Sequence, residues 1–172
     1  VMAKASTLFE IMSKDKVDPD EMMFHMNNDL YQTKTAGMFV TSILGEYNLI
    51  NDEIRWVNAG HQPALVREKS GNYSEFNSSS TPLGVIKHKD KSVYKMEKIK
   101  LNEGRFYVFT DGLSESLNKK GEEIGIEGSI KIIENNFNSD LQKQLKDVTS
   151  ETIDTAQNKS LSDDLTLVAV GK

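Results

Sequence analysis

The segment RFYVFTDGLSE, residues 105–115, carries the strongest fold signal in the chain. Its first part, from Arg105 to Thr110, is almost wholly apolar and aromatic, which is typical of a strand buried on both faces. Asp111 follows directly on this strand, and Gly112 would let other backbone and solvent approach closely there. The segment therefore predicts a buried strand that ends at a carboxylate.

A second acidic cluster stands immediately before the last predicted strand, Leu165 to Val170. It consists of Asp163 and Asp164. If this strand and the one before Asp111 are antiparallel neighbours, three carboxylates meet on one rim of the sheet. Like charges that close repel unless a proton or cation lies between them, and carboxylate oxygens are the ligands that Mg²⁺ and Mn²⁺ prefer. The alternative reading is structural, because Asp-Gly after a strand and Asp-Asp before one also occur in ordinary turns and loops.

The remaining pattern predicts helices, then hairpin-linked strands, then helices and one last strand. Asp18 as a capping side chain before Pro19, with the Glu21 carboxylate reaching back, predicts a capping box at the start of a second helix. The face of this helix formed by Met23, Met26 and Leu30 is better suited to a core than to a binding groove. The other predicted helices are residues 1–14, 128–136 and about 139–158, the last with Ser139 and Gln142 as a capping box. The other predicted strands are residues 38–44, 54–58, 64–67, 72–76 and 92–101, with turns at Asn51-Asp52, Gly71 and residues 102–104. This order predicts the α+β class, with a mostly antiparallel sheet system and helices packed outside it.

The composition favours a folded domain and argues against several kinds of binding site. The chain has 172 residues, 37% apolar and 27% charged, which fits a single folded domain over residues 1–172. The net charge is −5 and the lysines are scattered, which argues against binding to nucleic acid. There is no cysteine, so disulfides and thiolate metal sites are excluded. We expect a cytoplasmic domain, although the parent protein is open to membrane tethering through other segments.

Five motifs resemble those of PPM-type serine/threonine phosphatases, in the bacterial branch of the stage II sporulation protein E phosphatase and the sigma-B regulator phosphatases. They occur in the family's order, and the resemblance covers essentially the whole chain, from the first helix to Lys172, with the family's domain incomplete at its N-terminus. The motifs are Met38-Phe39-Val40-Thr41, Asn58-Ala59-Gly60-His61-Gln62-Pro63, Pro82-Leu83-Gly84, Thr110-Asp111-Gly112-Leu113-Ser114-Glu115 and Asp163-Asp164-Leu165-Thr166-Leu167-Val168.

The resemblance implies a metal-dependent protein phosphatase with a β-sandwich flanked by helices. Such enzymes bind two ions, Mn²⁺ or Mg²⁺, and a metal-bound hydroxide attacks phosphorus without a covalent phosphoenzyme. By the same resemblance Asp111 and Asp163 are metal ligands, and no further catalytic residue is implied. The supporting residues are Gly112, Asp164, Asn58 and His61. For Asp164, a role in holding a bound water or the loop is favoured over direct ligation. For His61, a structural role is favoured over polarisation of a leaving group.

The beginning of the chain departs from the family pattern. The family has earlier strands carrying an Asp that bridges the metals, followed by an Asp-x-x-Gly segment, and no residue from Val1 onward matches them. We therefore expect this chain to lack N-terminal strands of the phosphatase domain and to hold one weak cation or none. We expect it to be inactive or nearly so, and its exposed apolar surface to favour a homodimer.

Partners follow from the resemblance alone. The implied substrate is a phosphorylated signalling protein of the anti-anti-sigma type, and the parent is expected to carry an upstream sensor domain. Two other functions stay open. One is a non-catalytic pseudo-phosphatase that only binds a partner, and the other is a structural α+β domain whose motif matches are accidental.

Overall fold

Two antiparallel sheets organise the computed structural model, which describes residues 1–33, 37–118, 120–155 and 164–171. The chain divides into two compact units, one formed by Val1–Pro63 with Asn77–Lys100 and the other by Ala64–Phe76 with Leu101–Lys172. The helices are α1 Met2–Lys14, α2 Pro19–Gln32, α3 Asp111–Ser114, α4 Gly125–Asn135 and α5 Leu141–Thr155. The strands are β1 Ser42–Asn48, β2 Glu53–Ala59, β3 Ala64–Arg67, β4 Tyr73–Phe76, β5 Glu97–Lys100, β6 Arg105–Phe109 and β7 Leu167–Gly171.

The predicted α+β class with antiparallel sheets is confirmed by this order of elements. The prediction of one domain over residues 1–172 stays a prediction. Among the described residues, no helix has both the length and the apolar character required to cross a bilayer.

The first unit contains a three-stranded sheet in the order β1-β2-β5 and the helices α1 and α2. The predicted hairpin at Asn51-Asp52 joins β1 to β2, and Asp52 takes a left-handed conformation with φ 56°. The methionine face of α2 lies in the core of this unit, as predicted. Its buried side chains are Met22, Met23, Met26 and Leu30, packed in one cluster with Val57 and Ala59 of β2.

The start of α2 follows the prediction in position but not in its contacts. Asp18 precedes Pro19 at the first helical position, yet its side chain makes no capping hydrogen bond. The Asp18 carboxylate instead lies 2.8 Å from Nη2 of Arg55 on β2. Glu21 does not reach back either, because its carboxylate lies near His25 and Lys91. The predicted capping box is therefore wrong, since a cationic partner on a neighbouring strand holds the Asp18 carboxylate.

Two predicted strands are shorter in the structure. Within residues 38–44 only Val40 pairs, with Leu83, before β1 begins at Ser42. Within residues 92–101 the regular strand is only Glu97–Lys100, because residues 91–93 form a 3-10 turn. The Asp90 carboxylate accepts a hydrogen bond from the backbone N–H of Ser92 at 2.7 Å, which favours a local turn over an extended chain.

The second unit contains a four-stranded sheet in the order β4-β3-β6-β7, with α3, α4 and α5. Strand β6 lies inside this sheet, and every residue of it except the half-buried Val108 is buried, as predicted for residues 105–110. Tyr107 and Phe109 join Leu65 of β3, Leu113 of α3 and helical side chains in one apolar core. The sheet thus places the carboxyl end of β6 beside the start of β7.

Helix α5 begins one residue later than its predicted cap implies. The Asp140 carboxylate accepts hydrogen bonds from the backbone N–H groups of Gln142 and Lys143, at 2.9 and 3.1 Å. The predicted cap, Ser139, offers its carbonyl to the Arg105 guanidinium instead. The fully buried face of α5 is Gln144, Val148 and Thr152, so Leu141 and Leu145 of the predicted face flank it half-buried.

Candidate functional site

The acidic end of β6 is a direct transition from strand to helix. Thr110 keeps an extended backbone, with φ −79° and ψ 163°, and Asp111 is the first residue of α3. The Thr110 carbonyl accepts a hydrogen bond from Leu113 N–H at 3.1 Å, and the Asp111 carbonyl accepts one from Glu115 N–H at 2.8 Å. These bonds hold the backbone of Asp111 at the sheet edge, where the residue is half-buried.

The antiparallel pairing of β6 with β7 brings the second acidic segment to the same edge. Phe109 is paired with Leu167, and the Thr110 N–H donates to the Thr166 carbonyl at 3.0 Å, one residue beyond the named strands. The predicted neighbour relation between these strands is therefore confirmed. Asp111 and Asp164 stand on the two chain segments that meet at this rim, and Asp164 is exposed.

Asp163, the second predicted metal ligand, lies outside the described residues. Among the residues that the structure does describe, no three His, Cys, Asp or Glu side chains come close enough to hold a metal ion. The oxygen donor at Asp111 is of the kind that Mn²⁺ and Mg²⁺ prefer, so the rim fits such an ion in chemistry. The described carboxylates at the rim are too few to ligate two ions.

Gly112 lies buried in the first turn of α3. Its carbonyl accepts a hydrogen bond from the Ser116 hydroxyl at 2.6 Å. The next residue, Leu113, is fully buried in the core of the unit. Gly112 therefore belongs to the short helix that supports Asp111.

The motif of Asn58 to Pro63 forms a turn in the first unit. The buried Asn58 side chain accepts from His61 N–H and donates to the Gln62 carbonyl, each at 2.9 Å. Gly60 has φ +68° and its N–H donates to the Ser78 hydroxyl at 2.6 Å. His61 is half-buried, and its Nδ1 lies 3.3 Å from the Thr41 hydroxyl. In this arrangement Asn58 shapes the turn, and His61 has a polar neighbour from another motif.

Thr110 is the functional candidate that the sequence interpretation missed. Its hydroxyl accepts a hydrogen bond from Thr166 N–H and donates one to the Asp164 carbonyl, both at 2.9 Å. The position of Thr110 in the sequence could have indicated this role. A Thr between a buried strand and an Asp places a hydroxyl at the rim, and a hydroxyl both donates and accepts hydrogen bonds.

Comparison with known proteins decides the family. The family model of stage II sporulation protein E (SpoIIE) matches residues 1–172. The chain belongs to the SpoIIE family. The predicted resemblance to this branch of phosphatases is thereby confirmed.

Curated relatives of this SpoIIE-family chain include two phosphoserine phosphatases of Bacillus subtilis. RsbU is 25% identical over 158 residues, which cover 90% of this chain and 45% of RsbU. RsbP is 28% identical over 93 residues, which cover 54% of this chain and 23% of RsbP. The chain thus spans less than half the length of either relative.

Solved structures with the same fold include phosphatase domains from bacteria. The PP2C phosphatase domain of SpoIIE from Bacillus subtilis, with a fragment of its regulatory domain, has a TM-score of 0.80 at 17% identity, covering 99% of this chain and 49% of that chain. The SiaA-PP2C domain of Pseudomonas aeruginosa has a TM-score of 0.79 at 13% identity, covering 99% and 66%. RsbX in complex with magnesium has a TM-score of 0.66 at 15% identity, covering 97% and 70%.

Proposed function

We propose that this SpoIIE-family chain is part of a metal-dependent phosphatase that removes phosphate from serine or threonine of a phosphorylated signalling protein. The observation that carries the proposal is the rim at which Asp111 and the Asp164 segment are joined through Thr110. Its sequence relatives RsbU and RsbP are phosphoserine phosphatases, which supports the reaction class. The magnesium complex of RsbX, which shares the fold, supports a divalent ion.

In this proposal the protein's own residues place oxygen ligands at the sheet edge. Asp111 and Asp163 are the metal ligands, Asp164 supports a bound water or the loop, and Gly112 supports the backbone of α3. When bound, Mn²⁺ or Mg²⁺ would lower the pKa of water and offset negative charge on the phosphoryl group. Asn58 holds the turn that presents His61, which we assign a structural role.

Ligand number limits what this chain does alone. Two carboxylates are too few protein ligands for two ions, and the described residues contain no group of three candidate ligands. We therefore propose that the chain by itself binds at most one divalent ion weakly and hydrolyses phosphoesters slowly or not at all. The count of two motif-matched carboxylates favours the second candidate function, a non-catalytic module that binds a protein partner.

A substrate of the anti-anti-sigma type and an upstream sensor domain rest on the resemblance. Homodimer formation rests on the expected exposed apolar surface, and a cytoplasmic location rests on the composition. All four remain predictions. A substrate that carries phosphoserine is the broader statement that the name of RsbU supports.

The test is Mn²⁺-dependent hydrolysis of a phosphoserine peptide, measured on this chain and on a form extended upstream by native residues. Asp111→Asn should abolish the metal-dependent rate in the active form. Asp15→Asn, the same change at an exposed position after α1, is the matched control and should retain it. No metal-dependent hydrolysis in either form would reject the phosphatase and favour the partner-binding module.

A further inference from the structure

The pairing of Thr110 with Thr166 departs from a regular antiparallel ladder. Residues that form a hydrogen-bonded pair normally exchange both backbone N–H···O bonds. Here the Thr110 N–H donates to the Thr166 carbonyl at 3.0 Å, but the Thr110 carbonyl already accepts from Leu113 N–H in the first turn of α3. The N–H of Thr166 donates to the Thr110 hydroxyl instead, at 2.9 Å. The Thr110 hydroxyl thus accepts the hydrogen bond from Thr166 N–H in place of the Thr110 carbonyl, which is bonded to the first turn of α3.

The same hydroxyl makes a second bond, to the neighbouring acidic segment. It donates to the Asp164 carbonyl at 2.9 Å. A hydroxyl is the smallest side-chain group that donates and accepts on one atom. Through it, the backbone on both sides of Leu165 is bound to the strand end that carries Asp111.

We infer that Thr110 is a positioning residue: its hydroxyl fixes the chain from Asp164 to Thr166 against the strand end that carries Asp111 and thereby sets the affinity of this rim for a divalent cation. The inference rests on the proposed function, because it assumes that the rim binds a metal. Groups behind the ligands typically change metal affinity about 10- to 100-fold when they are removed. Thr110 does not itself ligate the ion in this account.

Two substitutions separate the hydroxyl from the shape of the side chain. Thr110→Val keeps the branched shape and removes both hydrogen bonds. Thr110→Ser keeps the hydroxyl and removes only a methyl group. Thr81→Val, the same loss of a hydroxyl at an exposed position before Pro82, is the control for a general effect of the substitution.

The experiment measures Mn²⁺ affinity by titration, with free Mn²⁺ followed by electron paramagnetic resonance, for the form extended upstream by native residues and for each variant in that form. We expect Thr110→Val to raise the dissociation constant at least about tenfold. Thr110→Ser and Thr81→Val should stay within about twofold of the native value, well below the effect expected for loss of a supporting bond.

A metal-free measurement tests the geometry separately. Amide hydrogen exchange at Thr166 should become faster in Thr110→Val, because its N–H loses its acceptor, and should stay slow in Thr110→Ser. Unchanged exchange at Thr166 in Thr110→Val would overturn the inference at its structural step.

The outcomes for metal binding distinguish the two proposals. If Asp111→Asn weakens Mn²⁺ binding and Thr110→Val does not, the positioning role is wrong and the metal site stands. If Asp111→Asn leaves Mn²⁺ binding unchanged, the metal site is wrong and the positioning role falls with it. Loss of affinity in both, with recovery in Thr110→Ser, supports both.

Discussion

The side-chain oxygen of Asn58 accepts a hydrogen bond from the backbone N–H of His61 at 2.9 Å, and the side-chain nitrogen donates to the carbonyl of Gln62 at the same distance. Asn58 is only 3% exposed, so water cannot readily replace these bonds. The position of the Asn58 amide therefore determines the backbone path that presents His61.

Substitution of Asn58 by Ala should destabilise the fold. The change leaves a backbone donor and a backbone acceptor without their partners, which costs about 1–3 kcal/mol of unfolding free energy. Urea unfolding measures the loss. Asn51→Ala, in the exposed loop between β1 and β2, is the matched control and should change stability by less than about 0.5 kcal/mol. Equal effects of the two substitutions would show that the Asn58 bonds do not stabilise the turn.

Gly60, in the same turn, is required for two reasons. Its φ is +68°, and a β-carbon there would overlap Cγ of Pro82. Pro82 has little room to shift, because the next residue, Leu83, exchanges both backbone hydrogen bonds with Val40. Gly60→Ala should therefore cost left-handed strain of about 1–2 kcal/mol and a further 1–3 kcal/mol for the steric overlap.

The control for Gly60 is Gly84→Ala, in the same unit. Gly84 has φ +87°, but its β-carbon would meet only an ordinary contact, Cβ of Leu30 at 3.5 Å. Urea unfolding of the two variants should show the larger loss for Gly60→Ala. A loss at Gly84 that matches or exceeds it would mean that backbone strain, and not contact with Pro82, makes Gly60 necessary.

Elements with a regular pattern of apolar residues were predictable from the sequence. The buried strand before Asp111 and the methionine face of α2 follow from apolar runs and spacing that need no knowledge of the partner. The relation of Asp111 to the second acidic segment was also predictable, because both acids flank strands that pair. These features depend on local sequence and on one simple rule of sheet geometry.

The hydrogen-bond and ion-pair partners of polar side chains were not predictable in the same way. Asp18 has the local signature of a helix cap, yet its carboxylate is paired with Arg55 on a strand distant in sequence. The role of the Thr110 hydroxyl depends on a carbonyl already used by α3 and on the register with Thr166. Each case is a competition between hydrogen-bonding partners, each bond contributing only about 1 kcal/mol, and only the folded chain brings the competitors together.

Glu134 of α4 should make the stability of the chain depend on acidity. Its carboxylate accepts two hydrogen bonds from the Arg67 guanidinium, at 2.7 and 2.9 Å, and one from the Tyr73 hydroxyl. The Arg67 bonds lower the pKa of Glu134 from its ordinary value of 4.5, against the opposing effect of burial. Because the folded-state pKa is the lower one, this stabilisation is present above about pH 4.5 and is lost as the pH falls through the folded-state value.

Glu134→Gln tests this dependence. The variant should be less stable at neutral pH by about 1–2 kcal/mol, a modest value because the Glu134 carboxylate is partly exposed. Its stability should also fall less than that of the native chain between neutral pH and pH values below 4.5. Urea unfolding at several pH values measures both effects. Glu10→Gln, at the exposed ion pair with Lys14, should show neither. Parallel pH profiles for Glu134→Gln and the native chain would contradict the assignment.

The start of α5 gives the last prediction, a comparison of two adjacent residues. One carboxylate oxygen of Asp140 accepts hydrogen bonds from the backbone N–H groups of Gln142 and Lys143. Ser139 instead accepts a hydrogen bond from Arg105 through its backbone carbonyl. Asp140→Ala should therefore lower the free energy of unfolding by about 1 kcal/mol, the usual cost of losing a helix cap. Ser139→Ala should leave it within about 0.5 kcal/mol, as for a surface substitution away from such features. A larger loss of unfolding free energy for Ser139→Ala than for Asp140→Ala would show that Ser139 caps the helix, as the predicted capping box requires. Urea unfolding of the two variants decides between them.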